Sequence, residues 1–250
     1  MTEKAIREKL IQYGRDHIRL KTELVSFTSD KEANELINDI KKRPHAYVLA
    51  CIMDRQVKAE TTWLIPHKFR QRMNQDFSMD LLANLTKEEV KKIMLFPTPL
   101  HRFSNKMGEF FYLGIQHIKT QYSNDASKIW SDKPSSSELV RRFLEFDGVG
   151  PKIATMAANI LVRFFGIVLS NYSSIDISAD VHVQRVFARL GLCSTNPSID
   201  EVIYKARDLN PDFPGLLDIS CWHIGRNWCR PRDPKCLECF MNGLCPKIGV

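Results

Sequence analysis

Apolar side chains recur at helical spacing along most of the chain. In residues 3–21 they fall at Ile6, Leu10, Ile11, Tyr13 and Ile18, and residues 31–42 repeat the pattern up to Pro44. Residues 45–65 are so strongly apolar that they predict one long helix stopping before Pro66, since an interior proline removes a backbone donor and crowds the preceding turn. Short helices are expected at 79–85 and 87–95, with Thr86 placed to cap the second, and an amphipathic helix at 105–122. Ser135, Ser136 and Ser137 start a helix running to about Phe146, Pro151 opens another to about Phe165, and residues 181–190 and 199–208 complete the set. Strand signals are few, the best being the short run 166–170. The polar stretches 123–137 and 171–178 read as surface loops. From about Pro211 the chain loses periodicity and is organised by cysteines and prolines. The expected fold class is all-α.

Composition narrows the class only slightly. The 250 residues suit one large domain or two small ones sharing an interface, and a core without disulfide staples is expected at this length. The net charge of +7 makes an acidic partner, typically nucleic acid, compatible with the surface. The opening Met1-Thr2-Glu3-Lys4-Ala5 is charged and lacks the apolar core of a secretory signal. The most apolar stretch, residues 156–169, is too short to span a bilayer and contains Asn159 and Arg163. The expectation is a soluble intracellular protein (cytoplasm or nucleoid, or a nucleus). Five of the seven cysteines lie between Cys221 and Cys245, a clustering that in a reducing compartment argues for metal over disulfides.

The most informative local motif is Phe146-Asp147-Gly148-Val149-Gly150-Pro151-Lys152. Two helices meet at Gly148, Val149 and Gly150. The glycines permit positive φ and close approach of a ligand to the backbone, Val149 would pin the turn to the core, and Pro151 suits a first helical position. Free N–H groups and the positive end of the helix dipole then bind a phosphate without reading sequence. This is a helix-hairpin-helix signature, which many non-enzymes share as a backbone clamp. Lys152 falls in the first turn of the second helix, where the dipole disfavours an ammonium, and a neutral amine is what nucleophilic attack on a sugar carbon requires. The plainer alternative is a lysine that neutralises phosphate.

Asp180 stands immediately before the helix that carries Val183, Val186, Phe187 and Leu190. It is a good N-cap, and its second oxygen can face a cleft, where a carboxylate could deprotonate water or the lysine, or stabilise a cationic sugar. Asp176 reads as a loop residue and His182 as a packed histidine.

The strongest signal is the spacing of Cys229, Cys236, Cys239 and Cys245: four thiols within 17 residues, separated by six, two and five. Four cysteines suit a [4Fe–4S] cluster or a tetrahedral zinc. Zinc ribbons usually pair two CxxC hairpins, and only one occurs here, so the uneven spacing favours a compact cluster. Arg230, Arg232 and Lys235, in the proline-stiffened loop after Cys229, could reach DNA phosphates or form a solvated rim. Cys51, Cys193 and Cys221 lie outside the spacing and read as core thiols.

The hairpin with its lysine, the aspartate before a helix and the cysteine set, in that order, resemble the endonuclease III branch of the helix-hairpin-helix (HhH-GPD) DNA glycosylases, from about Ala33 to Lys247. The resemblance implies two all-α lobes. A six-helix barrel would cover about 36–172, with the hairpin motif at about 139–165. A [4Fe–4S] lobe would combine 1–35 with 173–250, its cluster loop at 229–245. It further implies excision of a flipped base from damaged double-stranded DNA, often followed by β-elimination through a lysine Schiff base. Lys152 aligns with the family lysine, Asp180 with its catalytic aspartate and the four cysteines with the cluster ligands. Gln56 aligns with a glutamine that fills the gap left by the flipped base, and Leu100 is the candidate for an apolar wedge. Two departures lie near the expected base pocket: a longer stretch between Lys152 and Asp180, and Asp54-Arg55 where relatives carry small residues. The expectation is thus a monomeric bifunctional glycosylase and AP lyase, with Lys152 as nucleophile and Asp180 as general base and electrostatic partner. The alternatives are a monofunctional enzyme using water activated by Asp180, a non-catalytic DNA-binding iron–sulfur protein, and a zinc-stabilised interaction module.

Overall fold

The computed structural model describes residues 2–18 and 24–250. Its helices are α1 (Glu3–Asp16), α2 (Lys31–Asn38), α3 (Pro44–Ile52), α4 (Ala59–Met73), α5 (Met79–Leu82), α6 (Lys87–Leu95), α7 (Ser104–Tyr122), α8 (Ser136–Leu144), α9 (Pro151–Arg163), α10 (Val181–Arg189), α11 (Ile199–Leu209) and α12 (Leu217–Asn227), with 3-10 turns at Ala126–Ile129, Pro214–Leu216 and Cys236–Glu238. Among the described residues there is no strand, so the all-α class holds. No described helix is long and apolar enough to cross a membrane.

Where caps are strong, the expected helices form. Thr86 and Glu89 make a reciprocal capping box at the start of α6, and Ser135 accepts from the Glu138 N–H at the start of α8. Part of the helix expected at 3–21 lies outside the described residues; within them it ends at Asp16.

Four expectations change. The single helix expected at 45–65 is two. Its apolar pattern runs through a break, where α3 closes on a tight turn and Gln56 takes a left-handed φ of 54° that a continuous helix cannot hold. Pro66 then sits inside α4 rather than after it. The run 166–170 forms no strand: Gly166, at φ 64°, turns the chain, and the Ile167 N–H closes on the Leu161 carbonyl 3.0 Å away. The 123–137 stretch is not wholly superficial, because Ala126, Ile129 and Trp130 are buried beneath its polar residues. The segment after Pro211, expected to lack periodicity, contains α12. Its inward face is Leu217, Ser220, Cys221, Ile224 and Gly225, a helical spacing disguised by small residues. Gly225 is required there, since a Cβ would meet the Cβ of His182 on α10 at 2.7 Å.

The apolar interior divides in two. One cluster gathers α2 to α9 around Tyr47, Phe69, Phe111, Phe143 and Phe146. The other joins Ile6 and Leu10 of α1 to α10, α11, α12 and Met241 in the cysteine loop. The segments between α9 and α10 and between α11 and α12 link the two, and the seam they form carries the polar residues described next.

Candidate active site and nucleic-acid interface

The hairpin is built as its residues require. α8 ends at Leu144, the Val149 N–H bonds to the Phe146 carbonyl at 3.0 Å, and α9 begins at Pro151. Gly148 has φ 85°, and a Cβ there would lie 2.5 Å from the Phe110 ring. A Cβ on Gly150 would meet nothing within 4 Å, so this glycine faces open space. No side chain caps α9. The N–H donors of its first turn therefore remain open to an anion on the Gly150 side.

Lys152 stands in that first turn with its side chain 60 % exposed. Its Nζ lies 3.4 Å from Oδ2 of Asp54, whose side chain is only 12 % exposed. Asp54 is set by the turn that closes α3, its N–H bonding to the Cys51 carbonyl at 3.0 Å. Its other oxygen makes a long contact, 3.5 Å, with the Thr62 hydroxyl of α4.

Asp180 caps α10: one carboxylate oxygen accepts from the His182 N–H at 2.8 Å and the Val183 N–H at 2.9 Å. Its second oxygen carries no hydrogen bond among the described residues. Asp218, in the first turn of α12, accepts the Ser178 N–H at 3.2 Å. Burial raises its carboxyl to about 6, against the opposing pull of Arg163 and Lys152, and Asp180 pushes it the same way as burial. Asp218 thus lies within electrostatic reach of Asp180, Lys152 and Arg163. Arg163, which Asp218 faces electrostatically, is 3 % exposed, its guanidinium is lowered to about 10 chiefly by desolvation, and Nε and Nη2 have no hydrogen-bond partner among the described residues. Asp176, in contrast, is tied to Arg207 at 2.7 Å, well occupied as a loop residue.

On the barrel side, Gln56 is exposed on the turn after Asp54, and Arg102 donates to its carbonyl at 3.3 Å. Leu100 does not project: it is 7 % exposed and packs in the barrel core, its N–H bonded to the Met94 carbonyl. The apolar side chains that the same loop exposes are Phe96 and Phe103, and the Arg102 guanidinium lies 4.7 Å from the Phe103 ring centroid.

Cys229, Cys236, Cys239 and Cys245 line one small cavity of about 30 Å³, walled by Val186, Leu190, Ile224 and Met241. Burial raises the thiols of Cys239 and Cys245, and each also feels the charge of Cys229 and Cys236. Arg185 donates to the Cys229 carbonyl at 2.7 Å, and Arg189 to the Arg230 carbonyl at 2.7 Å and to Cys229 Sγ at 3.5 Å. Among the described residues no three His, Cys, Asp or Glu side chains are arranged to hold a single metal ion. Arg230, Arg232 and Lys235 are exposed on the loop, with Lys235 paired to Glu238. Cys51 and Cys221 are buried as expected of core thiols, whereas Cys193 is only partly so.

The contacts that sequence reasoning missed are those of Asp54, Asp218 and Arg163. Asp54 drew notice only for its place beside Gln56. Asp218 and Arg163 gave a fainter signal, each being a charge set within an apolar run (Leu216-Leu217-Asp218-Ile219 and Leu161-Val162-Arg163-Phe164).

Fold and site together define a class: a helical protein with two apolar cores, a glycine hairpin whose helix start is open, and an exposed amine in the first turn after it. The profile described as "HhH-GPD superfamily base excision DNA repair protein" matches residues 49–211, and the chain belongs to that superfamily. It is 25 % identical over 168 residues to an Endonuclease III of Thermotoga maritima, covering 65 % of this chain and 74 % of the relative. It is 24 % identical to an Endonuclease III of Sulfolobus acidocaldarius, covering 53 % of this chain and 57 % of that one. With Endonuclease III-like protein 1 of Gallus gallus it shares 25 % identity, over 80 % of this chain and 62 % of the relative. The chain is thus matched along little more than half the length of some of these relatives. Among solved structures, a non-covalent Endonuclease III–DNA complex aligns at TM-score 0.61 and 18 % identity, over 99 % of this chain and 96 % of that one. A thermostable thymine-DNA glycosylase aligns at TM-score 0.62 and 17 % identity, over 98 % and 95 %. These likenesses carry the fold.

Proposed function

We propose that the chain is a bifunctional DNA glycosylase and AP lyase of base-excision repair, acting as an intracellular monomer on double-stranded DNA that holds a damaged base. The observation that carries this is the placement of the Lys152 amine: exposed in the first turn of the hairpin helix, beside open space at Gly150, in contact with Asp54 and within electrostatic reach of Asp218, which also feels Asp180. In this assignment Gly148, Val149 and Gly150 hold a backbone phosphate and fix the register of the duplex. Lys152 attacks the sugar C1′ as the base leaves, and the uncommitted oxygen of Asp180 faces the positive charge that grows on the sugar. Gln56 occupies the gap left in the stack, and the wedge role falls to Phe103 rather than to the buried Leu100.

The donor set fits a [4Fe–4S] cluster: four thiols line one largely apolar cavity. Cys229, Cys236, Cys239 and Cys245 would hold it. When bound, it supplies an inorganic cross-link that stiffens the loop presenting Arg230, Arg232 and Lys235 to phosphates. The barrel at about 36–172 and the cluster lobe formed by 1–35 and 173–250 belong to the same proposal.

The test is to incubate the protein with duplexes bearing single defined lesions, including an abasic site, in the presence of borohydride, alongside Lys152→Ala. A covalent adduct in the wild type that disappears in the variant supports the lyase. The monofunctional reading has one observation in its favour, the ion pair that Lys152 already makes with Asp54. It predicts base release without any adduct.

A further inference from the structure

Lys152 must lose a proton before it can attack carbon, and the structure offers two carboxylates as acceptors. Asp180 already commits one oxygen to two backbone N–H groups, and no ion pair joins it to Lys152 among the described residues. Asp54 touches the amine directly, 3.4 Å from Oδ2 to Nζ. It is also held: its backbone by the α3 turn, its Oδ1 side by Thr62, and its side chain 12 % exposed while the lysine reaches out into the cleft.

We propose that Asp54 is the proton acceptor for Lys152, and that docking of DNA over the cleft triggers the transfer; this role presupposes Lys152 as the nucleophile. While the amine is open to water, Lys152 and the largely buried Asp54 face each other as an ion pair. DNA lying over Lys152 removes that water. An ion pair taken out of water loses the hydration of both partners, whereas the neutral amine and carboxylic acid lose little, so the balance moves toward the neutral pair. The proton passes from Nζ to Oδ2, giving an amine and a carboxylic acid with no net change of charge.

At an abasic site the freed lone pair then forms the bond to the C1′ aldehyde carbon. The carbonyl oxygen takes a proton from the nitrogen, giving a carbinolamine. Asp54 returns its own proton to that oxygen, the C–O bond breaks, and water leaves. The products are the protonated Schiff base and the Asp54 carboxylate.

The groups facing the pair are few. The buried Cys51 thiol lies behind Asp54 on α3 and is raised mainly by burial, with Asp54 adding to it. On the amine's side, Asp218 of α12 feels the charges of Lys152, of Asp180 at the start of α10 and of Arg163.

The experiment measures the rate of borohydride-trapped adduct on an abasic duplex for wild type, Asp54→Asn and Lys152→Ala between about pH 6 and 9, where an uncatalysed amine gains roughly tenfold in free base per pH unit. Wild type should show a shallow profile. Asp54→Asn should be at least about 100-fold slower at neutral pH and climb steeply toward wild type as pH rises. Binding to a duplex carrying a non-reacting abasic analogue, and the melting temperature, should be unchanged. Should Asp54→Asn melt early, Asp54→Glu carries the test, because it restores a carboxylate and should restore the shallow profile. A wild-type rate and profile in Asp54→Asn overturns the inference. So does a faster rate at neutral pH, which would mean that the carboxylate only holds the amine charged. A slower rate with an unaltered pH profile also overturns it. An adduct that survives Lys152→Ala, or no adduct from wild type, brings down the Lys152 assignment itself, and this inference with it.

Discussion

Asp180 offers a way to separate folding from chemistry in a single side chain. One oxygen accepts two backbone N–H bonds, from His182 at 2.8 Å and Val183 at 2.9 Å, and the other is uncommitted. Replacement by alanine removes both functions. An N-cap lost to alanine costs about 1 kcal/mol, within a range of roughly 0.5–2. For a chain of this size, each kcal/mol lowers the melting temperature by about 2–4 °C. Asparagine caps about as well as aspartate, because its amide oxygen takes the same two bonds. Asp180→Asn should therefore melt within about 1 °C of wild type. It nevertheless lacks the charge that the proposed function sets against the sugar, and loss of one such group lowers the chemical step by about 10²–10³-fold. The assay pairs thermal melts of wild type, Asp180→Asn and Asp180→Ala with single-turnover base release from a lesion-bearing duplex. The expected pattern is two variants equally inactive and only one of them destabilised. If asparagine melts as low as alanine, the cap is not what Asp180 contributes to stability. Base release at the wild-type rate by Asp180→Asn would refute its place in the chemistry.

Three further outcomes are expected. Gly148→Ala drives a methyl to 2.5 Å from the Phe110 ring at a φ of 85°, and overpacking of that kind costs about 1–3 kcal/mol, so it should lower the melting temperature, whereas Gly150→Ala, with nothing within 4 Å, should melt like wild type yet bind DNA more weakly because its methyl fills the anion cradle. Asp218→Asn tests the raised carboxyl: the folded chain keeps that proton up to about pH 6 while the unfolded chain releases it near 3.8, so its contribution is full below the lower value and lost as pH rises through about 6. The variant should match wild type near pH 3.8 and exceed it above about 6 by at most about 3 kcal/mol in denaturant titrations, and equal stability at all pH values would rule this out. Finally, purified protein should absorb broadly in the visible blue, Cys236→Ser should abolish that band, and a colourless protein carrying stoichiometric zinc would refute the cluster.

The sequence by itself determined what is encoded within a few residues. Helix starts at Thr86, Ser135, Pro151 and Asp180 were legible because a cap and the N–H groups it serves are neighbours in the chain. The hairpin glycines and the cysteine spacing were legible for the same reason, since short stretches of backbone fix which atoms can converge. Tertiary structure decided the rest. Asp54 meets Lys152 across 98 residues, and no local pattern states that an aspartate ending one helix will face the first turn of another. Leu100 looked available and was claimed by the first apolar core, while α12 hid because small residues hold its close crossings, Ser220 bonding to the Leu10 carbonyl of α1 and Gly225 lying against His182 of α10. Hydrophobic pattern reports what a segment would bury. Which charges then share a cleft depends on how the segments pack, and that is where Asp54, Asp180, Asp218 and Lys152 acquire a common environment.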